Sequence, residues 1–193
     1  MTVSSARRAV WDQERRRITD NIRSYGVHLT YVGGEASAAC DCCPGGREPL
    51  GSDDSDPLAG VVEDLDELPD RLAVPFCYTT GLFGVGHPEL VVLGLSPEPA
   101  ANLLNVLAHR VLEHQGDLTP GELTEVDGLQ VLVEELPNPG MVLFEANGYY
   151  DRPLVASVPA YQLTWSDAEG RYPWDEGHLP VPCLQPRPGH YRA

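Results

Sequence analysis

The stretch FCYTTGLFGVGHPELVVLGL, Phe76 to Leu95, decides the fold class of this chain. FCYTTGL is rich in aromatic and β-branched residues and predicts a strand. FGVGHP supplies the glycines and the proline of a turn. ELVVLGL is almost continuously apolar, as a strand buried on both faces near the middle of a sheet must be. Ser96 then offers an N-cap and Pro97 suits the first helical position. Ala100, Leu103, Leu104, Leu107 and Val111 follow at helical spacing, so a helix is predicted over about 97–115. Arg110 and His114 fall in its last turn, where positive charge complements the helix dipole.

Working outward, residues 5–24 predict an N-terminal helix. Val10, Trp11, Ile18 and Ile22 form its apolar stripe and Gly26 its stop. Val27 to Val32 alternates as a strand does. Residues 36–70 are Cys-rich and then acidic, and read as an inserted loop or flap, with a short helix near 58–68. DLTPGELTEVDG, from Asp117 to Gly128, reads as a loop and LQVLVEEL as a strand. MVLFEANGYYDRP is a short strand followed by a helix or turn, and LVASVPAYQLTW is a strand interrupted at Pro159. Residues 175–193 form a Pro-rich, irregular tail. Two clear helices among these strands predict an α+β class: a single domain over 1–193 whose central, mostly antiparallel sheet is either open or barrel-like.

Composition narrows the function. The 193 residues carry 29 acidic against 13 basic side chains, a net charge of −16. That surface repels phosphate backbones and anionic membranes, so neither nucleic acid nor membrane is an expected partner, whereas a basic protein is attracted. No apolar run is long enough to span a bilayer and no secretory leader is expected. Five cysteines, three of them crowded together, argue against a secreted disulfide framework and for the cytoplasm.

Several motifs share an order with a bacterial family. The chain has a helix leading into Gly26–His28, then Phe76–Leu82, Gly86–Leu90, Leu103–Asn105, Gln162–Asp167 and Pro173–Trp174. In these it resembles the family called domain of unknown function 4262. The resemblance implies one bacterial domain and names no chemistry. Cys77 departs from it, standing where alanine is usual, and the segment 36–70 is longer than the usual connection.

Four constellations are candidates for chemistry. His87 and Glu89, two apart, share a face if both lie on a strand, and with Tyr78 they are candidate catalytic groups. The plainer reading makes Gly86 and Pro88 shape a turn while His87 bonds a loop carbonyl. Thr79, Thr80 and Gly81 offer hydroxyls and close backbone approach for an anion or cofactor. Asn102 on the following helix gives a distant likeness to flavin-binding split barrels, although no Arg or Lys lies between Arg71 and Arg110 to hold a phosphate. Cys40, Cys42 and Cys43 resemble a soft-metal or reactive-thiol cluster, which Cys77 or Cys183 would complete; the alternative is a loop with incidental cysteines. Trp165 and Trp174, beside Tyr161 and Tyr172, are candidate walls of a pocket, or aromatics that cap the core.

These readings converge on a small-molecule- or cofactor-binding protein, with its pocket between residues 76–90 and 161–178. Flavin and a soft metal ion are the candidate cofactors. The alternatives are a non-catalytic interaction or immunity-type protein with an acidic binding surface, and a metal or thiol function of the Cys40–Cys43 loop.

Overall fold

The computed structural model describes residues 5–33, 74–113, 116–178 and 185–188. Its elements are α1 (Ser5–Tyr25), β1 (His28–Val32), β2 (Phe76–Thr80), β3 (Glu89–Leu93), α2 (Pro97–Leu112), β4 (Leu123–Val126), β5 (Leu129–Glu135), α3 (Phe144–Tyr149) and β6 (Ala160–Trp165). A 3-10 turn, Leu82–Val85, joins β2 to β3. The six strands lie in the order β1-β2-β3-β6-β5-β4, antiparallel throughout except for β3 against β6. The class is α+β. The sheet is open, with β1 and β4 at its two edges, so the barrel-like alternative and the split-barrel likeness that needed closure do not hold.

Every residue of β3 is buried, as its continuous apolar run requires of a central strand. One face of the sheet packs on α2. Leu103, Leu104, Leu107 and Val111 meet Cys77, Leu90, Val92, Val131, Val133, Leu163 and Trp165 there. Each such fully buried aliphatic side chain contributes roughly 1.5–3 kcal/mol. The opposite face holds Phe76, Tyr78, Val91 and Leu93 against Val142, Leu143 and Ala146 around α3. Ser96 does stand at the N-cap of α2 with Pro97 at the first position, but its hydroxyl makes no capping bond.

Several local expectations change. The α1 stripe is only half used: Ile18 is buried, whereas Val10 and Trp11 are 63% and 70% exposed. Burial on this helix falls in its C-terminal half, at Ile18. Residues 123–126, read as loop, form β4, hairpinned to β5 through Asp127-Gly128. Both turn residues have positive φ, 52° and 82°, the geometry that two-residue hairpins demand. The strand expected at Met141 is a 3-10 turn, Pro139–Met141, and Leu154–Ala156 is another, so β6 begins only after Pro159. The tail is in part tied down: the Gln185 carboxamide exchanges two hydrogen bonds with the Trp165 backbone, at 2.7 and 2.8 Å. The acidic segment 36–70, the end of the 97–115 helix beyond Glu113 and most of the tail lie outside the described residues.

Gly81, which follows β2, packs against the backbone at the end of α1. Its φ is +143°, and a Cβ there would stand 3.0 Å from the Gly26 carbonyl and 3.3 Å from Val27 Cα. Both neighbours are backbone and cannot give way. Gly81→Ala is therefore expected to lower stability by about 2 kcal/mol or more in urea unfolding, without loss of secondary structure by circular dichroism.

Candidate functional site

His87 and Glu89 have separate partners. His87 precedes β3 and is buried; its Nδ1 lies 2.6 Å from the Pro88 carbonyl and its Nε2 accepts the Leu118 N–H at 3.2 Å. Those two contacts fix the tautomer with the proton on Nδ1. The ring stands edge-on to Tyr161. Glu89 is fully buried. Its Oε1 accepts from the N–H groups of Gly81 (2.8 Å) and Phe83 (3.0 Å), and its Oε2 from the Thr79 hydroxyl (2.6 Å) and Leu82 N–H (3.3 Å). Burial pushes its carboxyl up from the usual range, while Thr79 and the turn amides pull the other way. Thr79 and Gly81, expected to face an anion or cofactor, thus bond the protein's own carboxylate, and Thr80 takes no part.

The other sequence candidates scatter. Thr79 Oγ1 also accepts the Leu90 N–H. Asn102 is on the exposed side of α2, bonded to Asp127. Trp165 is buried, its indole N–H on the Leu93 carbonyl. The parallel register sets Glu89 beside Ala160, so Trp165 lies five residues farther along, roughly 16 Å away. Trp174 is 41% exposed, stacked on Tyr172 with Arg187 over its ring. Of the 161–178 segment, Tyr161 meets His87, and the two tryptophans stand elsewhere. Cys40, Cys42, Cys43 and Cys183 lie outside the described residues. Cys77 is a core side chain whose thiol burial pushes up to about 12.

Tyr78 leads to a different centre. Its hydroxyl accepts the Glu145 N–H at 3.2 Å, and it stands opposite Thr30 of β1. On the same face His28 stands opposite Thr80. Alternation along β1 and β2 therefore collects His28, Thr30, Tyr78 and Thr80 into one polar patch. Glu145, in the first turn of α3, reaches it. The Thr30 hydroxyl donates to Glu145 Oε2 at 3.0 Å, and Glu145 Oε1 faces His28 Nε2 at 3.3 Å. Those two facing atoms, and Thr80 Oγ1, are buried without a hydrogen-bond partner. Asn21 of α1 holds His28 Nδ1 at 2.8 Å. Arg17 pairs with Glu14 and lies 3.6 Å from Glu145. His28 is the main influence holding the Glu145 carboxyl below its usual range; burial opposes it, and Thr30 and Glu14 assist. A cleft of about 420 Å³ opens beside the centre at the β1 edge, lined by Arg17, Asn21, Tyr25, His28, Asn105 and His109, with Val27 and Leu29.

The family model for a domain of unknown function (DUF4262) matches residues 61–179, more than half of the chain. The chain belongs to the DUF4262 family. Neither a curated protein nor a solved structure matches it.

In this DUF4262 protein the matched span contains Tyr78, Glu89 and Glu145, while Glu14 and His28 precede it. Sequence reasoning missed His28, Glu145, Asn21 and Arg17 as a group. The His-x-Thr alternation of β1 was the available signal; nothing local connects it to a glutamate 117 positions later. Among the described residues, no helix is long and apolar enough to cross a membrane.

Three outcomes follow for the buried groups. Glu89→Gln turns an NH2 toward donors and is expected to cost about 2–4 kcal/mol, read from urea unfolding. Cys77, with its thiol raised from 9.0 to about 12, should escape alkylation at pH 8 in peptide mapping of the native protein. A raised thiol favours the fold below pH 9, and that contribution is lost as pH rises through 12. Cys77→Ala should accordingly lose less stability than the wild type across that window.

Proposed function

We propose that this DUF4262 protein binds a small polar molecule in the cleft at the β1 edge, with His28 and Glu145 as the groups that act on it. The reading moves the small-molecule site expected from sequence away from residues 161–178 and keeps Tyr78 as part of its support. One observation carries it: the buried His28, which stands in the wall of the cleft, faces a Glu145 oxygen across 3.3 Å with neither its Nε2 nor that oxygen completing a hydrogen bond. Buried polar atoms without partners are rare enough to require a cause, and ligand-contacting groups are one such cause.

The chemistry of the wall sets the ligand class. In a chain of net charge −16, Arg17, His28 and His109 gather here with the carboxamides of Asn21 and Asn105. That set donates hydrogen bonds, so the matching ligand carries accepting oxygens, a carboxylate above all. The cleft volume suits a metabolite-sized molecule. The imidazole–carboxylate pair can take a proton from a bound molecule and return it, with Asn21 fixing the ring and Thr30 fixing the carboxylate.

Amide chemical shifts test this, with protein treated with a chelator and titrated with succinate and, separately, inorganic phosphate at millimolar concentration. The expected result is saturable shifts at Val27, His28, Leu29, Asn105 and His109, weakened roughly tenfold by His109→Ala. Absence of shifts at those residues with both probes overturns the reading.

A further inference from the structure

We propose that Glu14, His28 and Glu145 form a binding site for one divalent transition-metal ion, with Arg17 as the resident cation that the ion displaces. This goes beyond the small-molecule reading and does not depend on it.

The three residues come from α1, β1 and α3, and one donor atom of each lies within 4.8 Å of the other two. Two donors about 2.1 Å from a tetrahedral ion are roughly 3.4 Å apart, so a modest contraction closes the set. One imidazole and two carboxylates suit manganese, iron, cobalt or zinc, and the three-residue set leaves coordination positions for water or a ligand. An acidic cluster alone would carry no such inference. Here the imidazole is 3% exposed and its Nε2 points into the cluster without a hydrogen bond, as does Glu145 Oε1.

The surrounding bonds match what metal ligands require. His28 is held through its other nitrogen by the Asn21 carboxamide. With that amide turned end for end, Nδ1–H donates to its oxygen and the Nε2 lone pair is free for an ion. Glu145 is oriented through its second oxygen by Thr30, again leaving one oxygen for the centre. Arg17 bonds Glu14 through two guanidinium nitrogens and approaches Glu145 Oε1 at 3.6 Å, so it already supplies the positive charge that the carboxylates attract. Its side chain is 56% exposed and can swing into solvent. Metal binding is then an exchange of one cation for another.

That competition gives a test that damage to the fold does not imitate. Chelator-treated full-length protein is titrated with Mn2+ alone, followed by loss of the free-ion electron paramagnetic resonance signal, and with Co2+, followed by its visible spectrum. The wild type is expected to bind one ion per chain, with a Co2+ spectrum lacking thiolate charge-transfer bands. Glu14→Gln and His28→Ala should weaken binding at least about tenfold. Arg17→Met should strengthen it severalfold, the opposite of what general destabilisation would do. Glu14 and Arg17 are on the surface of α1, so their variants keep the test valid if His28→Ala fails to fold. Weak binding of several ions indifferent to Glu14→Gln, thiolate bands in the Co2+ spectrum, or no gain in Arg17→Met overturns the proposal. Because no small molecule is added here and no metal in the succinate titration, either reading can fail without the other.

Discussion

The carboxylate of Glu89 takes its hydrogen bonds from the end of β2 and from three successive residues of the turn that follows. Removing a carboxylate from water costs several kcal/mol, and hydrogen bonds to a charged group return about 1.5–3 kcal/mol each. Four donors thus offset much of that cost, while burial still pushes the carboxyl above its usual range. To present its amide to that carboxylate, Gly81 adopts a φ of +143°. The same residue lies against the backbone of Gly26 and Val27, where α1 ends and β1 is about to start. The position of His28 therefore depends on a charge buried two strands away. The central hairpin and the polar centre at the sheet edge are one mechanical unit.

The two faces of the sheet divide the work. Toward α2 the contacts are aliphatic and continuous from Cys77 to Val131, which is where burial stabilises the fold. On the other face the apolar cover of Val91, Leu93 and Ala146 reaches β1 at Val32 and gives way toward the start of that strand. There the pleat delivers His28, Thr30, Tyr78 and Thr80 instead. An edge strand beside a cleft tolerates such residues, because among the described residues one side of it has no neighbouring strand.

The fold was legible wherever local pattern carries the information. The 76–95 stretch gave strand, turn, central strand and capped helix because each piece follows from residue type and spacing. The β4–β5 hairpin was missed with its Asp127-Gly128 signal in plain view, since Leu123 to Val126 is short and mostly exposed. What could not be read was anything set by distant pairing. The parallel alignment of β3 with β6, which buries Trp165 far from Glu89, depends on a crossover through some sixty residues. The partnership of His28 with Glu145 depends on a six-residue helix whose sequence, FEANGY, has no helical stripe to declare it. Of the GHPEL pair that looked strand-borne, His87 belongs to the turn and Glu89 opens β3, because Pro88 and the 3-10 segment before it delay the strand until Glu89.

Glu89 and Glu145 show why burial and motif are poor guides to which carboxylate can do chemistry. Both are drawn into the protein, and their environments move them in opposite directions, Glu89 up by desolvation and Glu145 down by its imidazole neighbour. Glu89 has every oxygen engaged by donors fixed in the backbone, so it can accept a ligand only by dismantling the turn that positions the sheet. Glu145 has one oxygen held by Thr30 and the other 3.3 Å from the His28 Nε2, with no hydrogen bond completed between them. That second oxygen can change partners by a side-chain rotation, with Arg17 free to leave and the β1 backbone undisturbed. The exchangeable oxygen lies on α3, facing an imidazole on the strand whose sequence looked the plainest.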